Sequence, residues 1–183
     1  MGQLKFYTVD KKYLDFLQAK EKEERGFTKV PNHDYDTNEK FVCGVVFDIN
    51  NRKYYAPVSS YKKKQDENIL IKDKHGDVKS SIRFNYMFPV PDEYLKYKDF
   101  NIKPDGVDNE KYLKDKSLWE IEYDFCKKNE TKILNKAKQT YKKVTKKLKP
   151  SLIENSCDFI LLERAMDEYI AKEKVAADVD LNT

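Results

Sequence analysis

Hydrophobic and polar positions alternate with a period of two over residues 4–9 (LKFYTV), where Leu4, Phe6 and Thr8 oppose Lys5, Tyr7 and Val9. That pattern predicts a first strand with two different faces. The period then changes. Asp10 can cap a helix whose Tyr13, Leu14, Phe16 and Leu17 form an apolar face, and Gly26 is a natural stop for it. Residues 27–39 are rich in Asn, Asp and Pro and read as a long loop, which carries Tyr35. Two β-rich runs follow, 41–49 and 53–58, joined by Asn50-Asn51, which tolerate the positive φ of a tight hairpin turn. A second hairpin is predicted from 69–72 and 78–88 around the turn residues 73–77.

Beyond Pro89 and Pro91 the pattern becomes helical. A short tyrosine-rich helix is expected at 92–99. Ser117-Leu118-Trp119-Glu120 resembles a capping box opening one long helix, with Trp119, Tyr123, Cys126, Ile133, Ala137, Tyr141, Val144 and Leu148 as its apolar stripe and Pro150 as its end. A last helix is expected over 152–172, with Phe159, Leu162, Met166 and Ile170 on one side. No internal repeat and no second core are visible. The elements predict an α+β fold around an antiparallel sheet, one domain over 1–173 and a flexible tail over 174–183.

Composition narrows the class. A chain of 183 residues can bury a core without disulfides or metal. It is 37% charged, with a mean hydropathy of −0.87, yet 39% hydrophobic and 13% aromatic, which suits a wet-surfaced globular protein. There is no apolar run of membrane-spanning length and no signal-peptide core at the N-terminus, so a cytoplasmic protein without membrane contact is expected. Cys43, Cys126 and Cys157 are odd in number and widely spaced, which suggests core thiols rather than a disulfide framework or zinc site. His33 and His75 fall in unrelated turns and suggest no acid–base pair. No cofactor is expected.

Charge is more informative in its distribution than in its total of +4. Ten lysines lie between Lys127 and Lys149 against one acid, Glu130, and another knot sits at Lys62-Lys63-Lys64. Such a run is either a solvated face or a polyanion surface. The hairpin resolves part of this ambiguity. Lys40 stands at its entry, and Ser59, Ser60 and Lys62 follow Pro57 at its exit, so the fold can gather two ammonium groups and two hydroxyls. That set suits a phosphate. RNA brings its own nucleophile, and a protein that cuts it must align the 2′-hydroxyl, stabilise the phosphorane and move two protons. Tyr35 and Tyr61, beside this group, are candidate platforms for base stacking.

Several short motifs, in order over nearly the whole chain, resemble the ToxN/AbiQ family of type III toxin–antitoxin endoribonucleases. They are KFYTV at 5–9 with Lys12-Tyr13, then Lys40-Phe41, Gly44-Val45-Val46, and Tyr55-Ala56-Pro57-Val58-Ser59-Ser60 with Lys62. Met87-Phe88-Pro89, Cys157-Asp158-Phe159 and Leu162-Glu163 complete the series. The resemblance implies a partly barrel-like antiparallel sheet with flanking helices, similar to MazF/Kid-type toxins. It implies a metal-independent endoribonuclease that acts in abortive phage infection and is neutralised by a tandem-repeat antitoxin RNA in a closed protein–RNA assembly. It places Lys40, Ser60 and Lys62 in the catalytic group, with Tyr13, Tyr35 and Ser59 lining it. Lys63 and Lys64, with Lys128, Lys132, Lys142 and Lys146 opposite the stripe, are the expected RNA-binding lysines. Two other readings stay open from the residues alone: a non-catalytic RNA-binding module, and an interaction protein whose lysines only confer solubility.

Overall fold

The alternation at the N-terminus and the turn at Asn50-Asn51 build the centre of the fold. The computed structural model describes residues 4–32, 34–35 and 38–180. Strand β1 (Lys5–Val9) leads into α1 (Lys11–Arg25), where Asp10 accepts from Tyr13 N and Gly26 closes the helix at φ 78°. A two-residue pair, β2 (Asp34–Tyr35) with β3 (Asn38–Glu39), precedes the main hairpin of β4 (Val42–Ile49) and β5 (Arg52–Ser59). Asn50 and Asn51 adopt φ 51° and 62° between them, the double left-handed turn that matches strand twist. The β4–β5 register shifts between Gly44 and Phe47. Gly44 is required there, because a Cβ would stand 2.2 Å from the Tyr55 ring.

The second hairpin is β6 (Asn68–Lys72) with β7 (Val78–Arg83). Its second arm is shorter than its alternation suggests: Phe84–Tyr86 form a 3-10 turn, and β8 (Phe88–Pro89) then pairs with the first half of β5. The expected helix at 92–99 is only a 3-10 turn, Asp92–Tyr94, followed by β9 (Leu95–Tyr97), which pairs with β1. Tyrosines there gain more from an edge strand, where Tyr97 meets the Tyr7 ring edge-on at 6.2 Å. The seven-stranded sheet runs β6-β7-β5-β4-β1-β9, with β8 on β5. Strands β6 and β9 are its two ends and do not pair, so the sheet is open and the implied barrel-like closure is not formed.

The helical half also departs from the sequence pattern. Helix α2 (Asn109–Lys128) begins eight residues before Ser117, because Asp108 caps it by accepting from Glu110 N and Lys111 N. It does not continue to Pro150. At Asn129, φ −117° and ψ 19°, the side-chain amide takes the carbonyl of Phe125 and the chain turns into α3 (Glu130–Thr145). The expected helix over 152–172 is likewise two, α4 (Pro150–Glu154) and α5 (Phe159–Asp180). The break follows from a buried carboxylate: Glu21 accepts from Asp158 N at 2.8 Å, as well as from Arg25 and Lys29 N. Asp158 in turn accepts from Leu161 N and starts α5. Residues 174–180, expected as tail, are helical.

Helices α2 and α3 cover one face of the sheet. The Phe6 ring meets Tyr123 edge-on, and Tyr54 meets Tyr141 of α3 and Phe159 of α5. All three cysteines are buried free thiols, as expected. Among the described residues no helix is long and apolar enough to cross a membrane.

Candidate functional site

The site is set by where the β4–β5 ladder stops. Val42 pairs with Pro57, and Val58 N donates to Phe41 O at 3.3 Å. Carried one step further, the register puts Lys40 opposite Ser59. Neighbouring cross-strand residues of this kind have Cβ atoms about 5 Å apart. Lys40 is half-buried beside a small cavity bordered by Leu14, Pro31, Val42 and Pro57. Burial holds its ammonium below the usual lysine value, which eases proton transfer at neutral pH.

Past Ser59 the chain leaves the sheet in a pinned bend. Ser59 Oγ accepts from Tyr61 N at 3.2 Å, and Ser81 Oγ donates to Tyr61 O at 2.6 Å. Ser60 and Lys62 are exposed on either side of Tyr61. The register therefore sets Lys40 opposite Ser59, with Ser60 and Lys62 following in a held turn at the same end of the hairpin.

The other expected residues are placed differently. Tyr13 is fully buried, donates its hydroxyl to Pro89 O at 2.8 Å, and stacks on Tyr94 with ring centroids 5.2 Å apart. The side chain of Tyr35, like residue His33, lies outside the described residues. Tyr61 is half-buried, with the Arg83 guanidinium 4.8 Å from its ring centre, so the ring already has a cationic partner. His75 sits in the turn, its N–H donating to Asp73.

Of the expected RNA-binding lysines, Lys63, Lys64, Lys128, Lys132, Lys142 and Lys146 are all exposed as residues. The Lys64 ammonium, however, is engaged by its own loop, donating to Asn68 O and Oδ1 and to Gln65 O. Burial, then the nearby Lys136 charge, lower it from the usual lysine value. The same loop carries Glu67, buried against α3, where Thr140, Lys143 at 2.7 Å and Lys136 at 3.5 Å converge on it. Burial alone would raise this carboxyl, but the Lys143 and Thr140 hydrogen bonds outweigh it and hold the group below the usual range. Part of the lysine run thus folds the loop after the hydroxyls onto α3.

Besides Glu21 and Glu67, the buried charges Glu122 and Lys98 escaped the sequence reading. Glu122 of α2 is 3% exposed, and burial pushes its carboxyl up to about 7 against the opposing pull of the Ser80 hydroxyl and the Lys98 ammonium. Lys98 is itself buried, 4.1 Å from the Trp119 ring centre and 5.4 Å from that of Phe41. The β5–β7 register, Ser59↔Ser81, leads on to Ser60 and Ser80, so this cluster lies under the hairpin exit. Nothing in the local pattern marks Glu122, which reads as one more acid on a charged helix. Among the described residues, no three His, Cys, Asp or Glu side chains are gathered as a metal site.

The architecture is an open antiparallel sheet with flanking helices, its central hairpin carrying Lys40 at one end and Ser59, Ser60 and Lys62 at its exit. Comparison with known proteins gives the family. The model for "Toxin ToxN, type III toxin-antitoxin system" matches residues 5–167, and the chain belongs to that family. It is 28% identical over 178 residues to the endoribonuclease ToxN of Bacillus thuringiensis subsp. kurstaki, covering 93% of this chain and 86% of that one. It is 26% identical over 182 residues to the endoribonuclease AbiQ of Lactococcus lactis subsp. lactis, covering 92% and 91%. Among solved structures, a type III toxin described as selectively inhibited by a non-coding RNA pseudoknot superposes with a TM-score of 0.74 at 27% identity, covering 92% of this chain and 98% of that one. The lactococcal anti-phage endoribonuclease AbiQ superposes equally well, with a TM-score of 0.74 at 25% identity over 93% and 99%.

Proposed function

We propose that this toxin cuts single-stranded RNA by transphosphorylation: the RNA 2′-oxygen attacks the adjacent phosphorus, and the bond to the 5′-oxygen breaks. The products are a 2′,3′-cyclic phosphate and a 5′-hydroxyl. One proton leaves the 2′-hydroxyl and one reaches the departing 5′-oxygen. Lys40, Ser60 and Lys62 are the catalytic group. Lys40, with its lowered pKa, is suited to proton transfer, Lys62 to the phosphorane charge, and Ser60 to a hydrogen bond with a phosphate oxygen. Ser59 shapes the bend, while Tyr13 and Tyr35 are proposed as supports around the site. The observation that carries this reading is the hairpin register that sets Lys40 against the exit serines.

None of these steps calls for a metal ion. Cleavage is expected to proceed in excess EDTA and to leave cyclic phosphate and 5′-hydroxyl ends, read by end-specific labelling. Activity lost to the chelator and restored by Mg²⁺ overturns the mechanism. RNA bound but never cut, with or without metal, makes the chain an RNA-binding module instead.

The activity is held in check, in this reading, by a tandem-repeat antitoxin RNA in a closed assembly where each RNA unit bridges two protein subunits. Release of the toxin acts against phage in the cytoplasm. The family and its RNA-inhibited relative support this reading. So does the exposure of Lys128, Lys132, Lys142 and Lys146, which leaves four ammonium groups for phosphate. Each contact to a single strand steepens the salt dependence by about 0.7 log units per log unit of salt. Glutamine at all four positions is expected to weaken antitoxin binding and flatten the slope by about 3. An unchanged slope in a filter-binding titration means the helix is only a solvated face.

A further inference from the structure

One cleft lies away from the hairpin exit. An open space of about 420 Å³ lies between the loop after Lys64 and the turn joining α3 to α4. The turn that forms its wall is unusual. Lys147 N donates to Val144 O and Leu148 N to Lys143 O, a Schellman closure, with Lys147 at φ 53° where glycine is the usual residue. The apolar residue that follows such a turn normally packs back on the helix. Here the positions it would pack on are Lys142 and Lys143, and Leu148 stays 64% exposed beside the cleft, which Leu152 also lines. The expectation that Leu148 belongs to the core stripe is therefore overturned, since α3 ends before it.

The polar part of the lining mixes the amides of Gln65, Asn85 and Asn155 with Ser151 and the carboxylates of Asp66 and Glu67. Asn85 Nδ2 donates to Asn155 O at 2.6 Å and Asn155 Nδ2 to Ser151 O at 2.8 Å, which fixes both amides and leaves their Oδ1 atoms as acceptors. At the rim stand Lys143 and Lys149. Lys143 is held by Glu67, but Lys149 meets Asp66 at 3.4 Å in a pair that is 62% and 81% exposed, worth little and easily exchanged for a phosphate.

From this combination we infer that the cleft is a subsite for one unpaired nucleotide of RNA, its base between Leu148 and Leu152 and its phosphate on Lys149. The volume suits a ligand of that size. The apolar walls with fixed amide acceptors suit the two faces and the polar edge of a base. The location suits a strand running on from the reacting phosphate. Gln65 at the cleft is five positions on from Ser60, which limits the separation to roughly 17 Å. The inference rests on the RNA-cleaving reading for the identity of the ligand, and it names a contact outside the catalytic group.

The test uses the full chain and adenosine 5′-monophosphate as probe, followed by the methyl signals of Leu148 and Leu152 in NMR. Saturable shifts with a dissociation constant on the order of 1 mM are expected, about 4 kcal/mol of binding. Inorganic phosphate at the same concentration is expected to leave these methyls in place. Leu148→Ser, a change at an exposed residue, is expected to abolish the shift of Leu152 and to lower kcat/KM for RNA cleavage about tenfold, the loss of one stacked base. No shift with the nucleotide, equal shifts with phosphate alone, or an unchanged kcat/KM in Leu148→Ser overturns the subsite. A wild-type protein that cuts no RNA overturns the proposed function instead, whatever the nucleotide does.

Discussion

Ser60→Ala is expected to lose RNA cleavage by two to three decades while melting at the wild-type temperature and binding RNA with nearly unchanged affinity. The argument is geometric. Ser60 is exposed, one residue beyond the last ladder pair, on a bend held independently by Ser59 and Ser81. Its own hydroxyl is not part of that scaffold, so removing it leaves the bend in place. What is removed is one contact to the charge that develops at phosphorus, worth about 3–4 kcal/mol. Lys62→Ala, also at an exposed position, is expected to behave alike. Lys40→Ala is expected to lose cleavage and some RNA binding too, because in the proposed mechanism its ammonium both moves a proton and faces the phosphate. Single-turnover rates with excess enzyme separate these effects. Wild-type cleavage by Ser60→Ala would make Ser60 a turn residue and leave Lys40 and Lys62 without the partner that their roles assume.

The parts of the fold that were legible in the sequence are those governed by local rules. Asp10 and Gly26 bracket α1 because capping and left-handed closure act within a few residues. Asn50-Asn51 make the tight turn for the same reason, and the hairpin carries the candidate site with it. The misplaced boundaries have remote causes. The α4–α5 break is imposed by Glu21, more than a hundred residues away, whose buried carboxylate needs the Asp158 N–H. Strand β9 exists because β1 offers it an edge, not because its own residues alternate. The α2–α3 stripe is continuous in sequence, yet one amide at Asn129 is enough to turn the chain.

The lysine run shows the same division in the site. Composition could say that these residues are many, but not which of them point outward. Lys64, Lys136 and Lys143 turn to Asn68 and Glu67, and so shape the loop that follows the serines. Lys128, Lys132, Lys142 and Lys146 remain for solvent and phosphate. A charge count treats the two groups as one. The partners Glu67 and Asn68 separate the lysines that shape the loop from those left at the surface.

Glu122→Gln is expected to stabilise the protein at pH 8 and to leave it unchanged below about pH 4.5. The wild-type carboxyl titrates near 7 in the folded protein, because burial disfavours its charge, against 4.5 when unfolded. Between these values the unfolded chain has lost its proton and the folded one has kept it. Raising the pH through the window from 4.5 to 7 therefore favours unfolding, and the loss is complete above 7. The difference of 2.5 units corresponds to about 3 kcal/mol. For a chain of this size that is roughly 6–12 °C in melting temperature. Glutamine keeps the shape of the neutral acid, and its amide can meet the Ser80 hydroxyl beside it as the acid does. The ionised wild type gains some attraction from Lys98, already included in the value near 7. Melting curves of both proteins from pH 4 to 8 decide the matter: they are expected to coincide at the acid end and diverge steadily above 4.5. Parallel curves across that range would mean that Glu122 ionises in the folded protein as readily as in the unfolded one, and that water reaches the cluster beneath the hairpin exit.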